Sequence, residues 1–199
     1  MDTQDHWGDL NLKYEDVLSH LSAEGTRIDR GLSETEFAGI ESAYGFRFPP
    51  DLRQFLSIGL PLGEGWLDWR RDSRAQVIKR MNAPLEGICL DVRRSGFWHS
   101  SWGAKPRFVY QRISRARRLI GDAPKLIPLF GHRYIPDRPC SSGNPVFSVV
   151  QTDIIHYGKD LISYLVNEFF ALKLVDDTKG DEYRPVEFWS DLANTEVRD

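Results

Sequence analysis

The chain has 199 residues, of which 41% are apolar and 28% charged, and its formal net charge is −3. This balance is typical of an ordinary globular domain, and the sequence contains no repeat or low-complexity segment. The first twenty residues are acidic without an apolar run, and no window is apolar enough for a membrane helix. We therefore expect a cytoplasmic protein with neither a signal peptide nor a membrane span.

The charge is distributed unevenly along the chain. Residues 70–118 contain thirteen Lys and Arg against three Asp and Glu, whereas residues 1–69 contain five against thirteen and residues 151–199 five against eleven. A basic middle between acidic ends could attract nucleic acid or an acidic partner. The alternative is that the acidic ends fold back over the basic middle, so that the charges largely cancel.

Helices are predicted in the first third of the chain. A less definite one lies near Leu12 to Ser22. Ser33 and Glu36 have the spacing of a capping box, which predicts a helix start, and Gly45 stands where a left-handed C-cap belongs. The following helix opens at Pro50, ends at Gly59 and buries a stripe formed by Leu52, Phe55 and Leu56.

The middle of the chain predicts a mixture of loops, strands and helices. Residues 59–70 are predicted to be a loop that leads into a strand, and residues 73–82 a short basic helix. The β-rich run GICLDV, residues 87–92, is predicted to be a strand. Pro106 is expected to start a further helix that runs to Ile120.

The last third of the chain is predicted to contain two strands and two helices. One strand covers residues 125–135, with Pro128 placing it at a sheet edge or bulge. The other is a long central strand over residues 146–157. Asp160 caps an amphipathic helix, and Pro185 opens a last short one. Helices followed by strands without regular βαβ units indicate the α+β class.

Signatures of known reactions are missing from the sequence. There is no HExxH, GxSxG or P-loop motif, and the GEG at residues 63–65 lacks the third glycine of a dinucleotide fingerprint. The cysteines Cys89 and Cys140 form no CxxC and are expected to be reduced and mostly buried. A metal site from His132, His156 and Asp153 is disfavoured, because residues three apart on a strand point to opposite faces. The sequence predicts no catalytic residue, metal ligand or cofactor.

Three polar residues are nevertheless candidates for a functional role. His99, followed by Ser100 and Ser101, superficially resembles a base beside a nucleophile, but it lacks an orienting third group. Asp91 and Asp153 lie in apolar runs and are expected to be buried carboxylates with a partner. For Asp91 that partner would be Arg93, Arg70 or a backbone donor. An ion-pair role is the first interpretation of both carboxylates, and a ligand-binding role the second.

Two segments resemble the SUKH superfamily, the fold of fungal Smi/Knr cell-wall assembly regulators and of many bacterial toxin-immunity proteins. They are LSETEFAGIESAYGFRFPPDLRQFLSIG and GNPVFSVVQTDIIHYGKDLISYLVNEF. The resemblance covers residues 30–172, with an extension and a possible helix over 1–29 and a tail with a short helix over 173–199. It implies an α+β fold with a central mixed, largely antiparallel sheet and helices packed at its ends. It also implies protein binding without catalysis, and toxin neutralisation in the bacterial members.

Tryptophan and arginine side chains are the candidate anchors of a binding surface, because they remove much apolar area from water on binding. The candidates are Trp66, Trp69, Arg70, Trp98 and Trp102. The alternative is that these tryptophans fill the core where strands meet helices. The segment RSGFWHSSWGAKP is predicted to be a strand and a loop that buries one tryptophan and presents the other.

The sequence thus leaves three functions open. The leading one is a non-enzymatic protein-binding module of SUKH type, with a bacterial toxin among the partners to consider. The second is a nucleic-acid-binding module that uses the basic residues 70–118 and their aromatic neighbours. The third is a hydrolase whose active-site residues meet only in the folded chain.

Overall fold

The computed structural model describes residues 13–170 and 183–194. The α-helices of this part are α1 (Tyr14–Ala23), α2 (Glu34–Tyr44), α3 (Pro50–Ile58), α4 (Arg74–Arg94), α5 (Val109–Asp122), α6 (Leu161–Phe169) and α7 (Trp189–Ala193). The strands are β1 (Arg27–Arg30), β2 (Gly59–Leu62), β3 (Leu126–Pro128), β4 (Arg133–Pro136), β5 (Val146–Val150) and β6 (Asp153–Gly158). The α+β class predicted from the sequence is confirmed.

The strands form two antiparallel sheets. β1 pairs with β2, so that Arg27 lies opposite Leu62. The second sheet has the order β3-β4-β5-β6, and all its neighbouring strands are antiparallel. Pro128 ends β3 at the edge of this sheet, as predicted, where its missing N–H costs no ladder hydrogen bond.

The predicted helix caps are present. The Ser33 hydroxyl accepts a hydrogen bond from the N–H of Glu36, and the Glu36 carboxylate accepts one from the N–H of Ser33. Gly45 ends α2 in the left-handed conformation with φ 66°. The Asp160 carboxylate likewise accepts from the N–H of Ser163 at the start of α6. These local features fix where α2 begins and ends and where α6 begins.

Two clusters of buried side chains form the interior. The first gathers α1, α2, α3, β2 and α6 around Phe37, Phe55 and Tyr164. The second lies between α4, α5 and the four-stranded sheet, around Ile88, Phe147 and Trp189. Segments outside residues 30–172 contribute to both: α1 buries Val17 and other apolar side chains in the first, and α7 places Trp189 in the second.

The prediction of a strand over residues 87–92 is wrong, because this run lies inside the 21-residue helix α4. The predicted basic helix over 73–82 is only its beginning. The buried side chains Val77, Ile88 and Val92 recur at helical spacing. Burial of this face against the second cluster outweighs both the β-propensity of the run and the cost of the internal Pro84.

Two predicted single strands are in fact hairpins. Residues 125–135 turn at Gly131 between β3 and β4, and residues 146–157 turn at Gln151 and Thr152 between β5 and β6. Gln151 adopts a left-handed φ of 57°, which makes the tight turn without a glycine. The second hairpin places β6 at the sheet edge, so the long central strand predicted there does not exist.

The other helix boundaries are displaced from the predicted ones. α5 begins at Val109, three residues after Pro106, and α7 begins at Trp189, four residues after Pro185. Within the described residues, no helix is both long and apolar enough to cross a membrane. Residues 1–12 of the predicted extension, and residues 173–182 and 195–199 of the predicted tail, lie outside the described residues.

Candidate functional site

Trp66 and Trp69 pack against the first core cluster instead of presenting their rings to solvent. The Trp66 ring stacks on Phe169 at 5.4 Å between centroids and lies 5.1 Å from Phe130. The Trp69 ring meets Phe48 edge-on at 5.4 Å and also contacts Tyr44. Both rings are half-buried, which favours the alternative that they fill the core, and their role as binding anchors stays a prediction.

Arg70 also has a structural role, because its guanidinium makes several contacts within the chain. Its Nε lies 2.5 Å from a carboxylate oxygen of Glu36, and its Nη atoms donate to the carbonyls of Arg30 and Gly31 at 2.7 Å each. Asp29 lies 3.7 Å away. These contacts join the loop after β2 to the end of β1 and the start of α2, and the Arg70 hydrogen bond lowers the pKa of Glu36.

The segment RSGFWHSSWGAKP contains no strand. It follows α4 and includes a single 3₁₀ turn, Ser100–Trp102. Trp102 is buried at 2% exposure and stacks on Phe188, with centroids 5.9 Å apart and planes at 7°. Trp98 is half-buried, meets Trp102 edge-on and donates its indole N–H to the Gly103 carbonyl. Trp102 is therefore part of the core, which confirms the prediction that one tryptophan is buried, and the half-buried Trp98 packs against its ring.

His99 lies at the start of the same 3₁₀ turn and caps it. Its Nδ1 is 2.7 Å from the hydroxyl oxygen of Ser101 and accepts a hydrogen bond from the Ser101 N–H at 3.3 Å. The ring is 9% exposed and lies against Trp102. Because a cap between residues two apart explains this geometry, the His99–Ser101 contact gives no support to a nucleophile–base pair.

The two candidate carboxylates have different surroundings. Asp91, on α4, accepts hydrogen bonds from the backbone N–H and the hydroxyl of Thr152 at 3.2 and 2.7 Å. A backbone donor was one of the partners predicted for Asp91, and this contact anchors the β5–β6 turn to α4. Asp153 is exposed at the start of β6, so the prediction that it is buried is wrong.

Metal and thiol chemistry gain little from the fold. Within residues 13–170 and 183–194, no group of three or more His, Cys, Asp and Glu side chains could hold a metal ion. His156 instead stacks on Tyr183, and burial lowers its pKa. Cys89 is buried as expected, and burial raises its pKa, whereas Cys140 is exposed.

An exposed aromatic pair lies at the start of α5, in the basic stretch but outside the binding residues predicted from the sequence. Phe108 and Tyr110 are 52% and 69% exposed, and their rings stack with centroids 5.8 Å apart and planes at 16°. Val109 between them is 40% exposed. Two large rings stacked together in solvent form an apolar patch that the folded core does not explain.

Positive charge surrounds this pair. Residues 93–118 contain eight Lys and Arg and no Asp or Glu. The exposed cations of this stretch are Arg93, Arg94, Lys105, Arg107, Arg115, Arg117 and Arg118. Only Arg117 forms an ion pair in the described part of the chain, with Glu86 on α4. The two aromatic rings with Arg107, Arg115 and Arg118 are hereafter the α5 surface.

Part of the α5 surface is a groove on the helix itself. Tyr110, Gln111, Ser114, Arg115 and Arg118 line one open groove of about 320 Å³ along the helix. Carboxylates of residues 1–69 do neutralise other cations of the basic middle. Arg70 and Arg71 pair with Asp29, Glu36 and Asp68. The signal that points to this surface in the sequence is the absence of any carboxylate between Arg93 and Arg118.

Comparison of the chain with models of protein families, with curated proteins and with solved structures gave no match. The SUKH resemblance therefore stays a prediction from two sequence segments. The remaining indications of function are the α+β fold and the side chains that this fold leaves exposed.

Proposed function

We propose that the protein is a non-catalytic protein-binding module whose partner docks an acidic surface on the α5 surface. The observation that carries the proposal is the stacked, exposed Phe108–Tyr110 pair within a stretch of eight cations and no carboxylate. Aromatic and arginine side chains are enriched at the energetic centres of protein interfaces. Charge complementarity selects an acidic partner and speeds its association.

The geometry lowers the cost of binding. The two rings already stack on each other, so fewer side-chain rotamers are lost when a partner covers them. The cations of α5 project from one helix, which holds their spacing fixed. Arg115 and Arg118 can form charge-assisted, bidentate hydrogen bonds with carboxylates, which are stronger than neutral ones.

The SUKH resemblance supports the same class of function and suggests which partners to test first. Bacterial members of that family neutralise toxins by binding them, so a bacterial toxin with an acidic surface is the first candidate. We propose a cytoplasmic location as well, because such a toxin would act inside the cell that makes it. The roles of His99, Arg70 and Asp91 in internal contacts support a function without catalysis.

Nucleic acid is the second candidate partner, because exposed stacked rings beside arginines are also the chemistry of single-strand binding. The two candidate partners differ in how strongly added salt weakens their binding. Phosphate contacts release counterions, so oligonucleotide binding falls steeply as salt rises. A protein interface centred on two buried aromatic rings loses less affinity, because salt screens its charge contacts but not its apolar contacts.

The experiment is an affinity capture from native lysate, followed by binding measurements with the purified captured protein. The double variant Phe108→Ala/Tyr110→Ala removes the rings, and Val150→Ala/Ile155→Ala is the control, since those side chains are also exposed, at 47% each, on the sheet. We expect the first variant to weaken binding at least about tenfold and the control to leave it unchanged.

The proposal fails if a specific partner binds both variants and the wild type equally. It also fails if the purified partner does not compete with an acidic polypeptide such as polyglutamate at low salt. Steeply salt-dependent binding of random oligonucleotides, lost in Phe108→Ala/Tyr110→Ala, would replace it with the nucleic-acid function.

A further inference from the structure

A second concave site lies away from the α5 surface. A cleft of about 330 Å³ is enclosed by the C-terminal end of α2, the first half of α4 and the C-terminal end of α5. Most of its wall is apolar: Tyr44, Ile78, Met81, Leu85, Ile120 and Trp189. Ile78 is 38% exposed here, so a sizeable apolar side chain meets solvent inside the cleft.

The charged side chains that line the cleft are all cations. Its fourteen lining residues include the cations Arg74 and Lys125 and no carboxylate. Lys125 donates from Nζ to the carbonyls of Tyr44 at 3.0 Å and Gly45 at 2.5 Å, which accounts for two of its three protons. Arg74 is exposed at the start of α4 and forms no ion pair in the described part of the chain.

We propose that this cleft binds a small molecule with an apolar body and one anionic group. Its volume and its apolar wall with a few polar groups are typical of small-ligand sites. The apolar body would cover Ile78 and Met81, and the anionic group would face Arg74 and the remaining Lys125 proton. Tyr110 precedes Ile120 by ten residues, about 15 Å along α5, so this ligand leaves the α5 surface free.

Gly121 offers a direct way to fill the cleft. It lines the cleft, and a Cβ added there meets no atom within 4 Å. Gly121→Leu therefore adds an apolar side chain at the cleft wall without a clash at its Cβ, whereas Gly121→Ala makes the same backbone change and adds only a methyl group. Arg74→Glu reverses one charge, and a carboxylate in the first turn of α4 is favourable for the helix. Lys79→Glu is the matched control, since Lys79 is exposed on α4 but does not line the cleft.

The experiment is a fluorescence titration of the full chain with anilinonaphthalene sulfonate, an aromatic anion, followed by displacement with octanoate or octylammonium. We expect saturable binding that octanoate displaces and octylammonium does not. Gly121→Leu should abolish binding, Gly121→Ala and Lys79→Glu should preserve it, and Arg74→Glu should weaken it about tenfold. Melting curves and far-UV circular dichroism establish that each variant is folded.

Three results would overturn the site: no saturable binding to the wild type, displacement by octylammonium as readily as by octanoate, or unchanged binding to folded Gly121→Leu. The same titration with Phe108→Ala/Tyr110→Ala separates the two proposals. Dye binding that depends on those rings and not on Gly121 assigns the dye to the α5 surface and removes the cleft ligand.

Discussion

The Nε of Arg70 lies 2.5 Å from Oε1 of Glu36, although the two residues are 34 positions apart. Glu36 uses the same carboxylate to cap α2 through the N–H of Ser33 at 2.8 Å. Arg70 reaches the last residue of β1 as well, through the Arg30 carbonyl. One ion pair thus connects the small sheet, the first turn of α2 and the loop before α4.

We expect Arg70→Met to lower the free energy of unfolding by about 1–3 kcal/mol, because it removes several charge-assisted hydrogen bonds from a side chain that is 12% exposed. Arg71→Met is the control, since Arg71 is 56% exposed and its ion pairs with Asp29 and Asp68 are solvated. Urea unfolding of the two variants measures the difference. Equal losses would show that the Arg70 contacts contribute no more than surface ion pairs.

The Glu36 pair makes stability depend on pH in a defined direction. The Arg70 guanidinium and the Ser33 N–H lower the pKa of Glu36 below its ordinary 4.5. A carboxyl whose pKa is lowered by folding stabilises the fold above its ordinary pKa, and this contribution is lost as the pH falls below it. The stability difference between wild type and Glu36→Gln should therefore be largest at neutral pH and shrink towards about pH 3. A difference that stays constant over this range would contradict the lowered pKa.

Trp102 and Trp98 should respond very differently to truncation. Trp102→Ala removes a ring that is 2% exposed and stacked on Phe188, and we expect it to cost about 3–5 kcal/mol of unfolding free energy. Trp98→Ala removes a half-buried ring at the edge of the same cluster and should cost less than half as much. Thermal or urea unfolding decides the order. A larger loss of unfolding free energy for Trp98→Ala would mean that the half-buried ring stabilises the cluster more than the buried ring does.

The features that could be predicted from the sequence are those with local causes. The capping residues Ser33, Glu36 and Asp160 accept hydrogen bonds from backbone N–H groups within three positions of themselves. Gly45 adopts the left-handed conformation that ends α2. Their spacing therefore defines helix ends before any tertiary contact is known. The buried stripe of α3 was predicted for the same reason, because helical spacing places Leu52, Phe55 and Leu56 together.

The features that could not be predicted depend on distant contacts. Residues 87–92 have a strand-like composition, and only packing against the second cluster makes them helical. The β5–β6 turn has no Gly, Pro or Asn, so the sequence of the two strands resembles that of one long strand. Likewise, burial of Trp69 depends on rings from α2 and the segment after it. Exposure of Phe108 and Tyr110 follows only from where α5 packs on α4.

Substitution of Gly87 tests the packing of α4 on the β5–β6 turn. Alanine is normally more stable than glycine inside a helix, by about 0.5–1 kcal/mol. A Cβ at Gly87, however, would lie 2.9 Å from the Cα of Gln151, beside the turn that Asp91 anchors through Thr152.

We therefore expect Gly87→Ala to destabilise the protein, because the turn must move away from α4 or the helix must shift. Gly39→Ala is the matched control: Gly39 lies within α2, and a Cβ added there meets no atom within 4 Å. It should raise the free energy of unfolding by up to about 1 kcal/mol. Urea denaturation of both variants shows whether each substitution raises or lowers the free energy of unfolding. A stabilising Gly87→Ala would show that the turn is not held against α4 as closely as the Gly87–Gln151 contact requires.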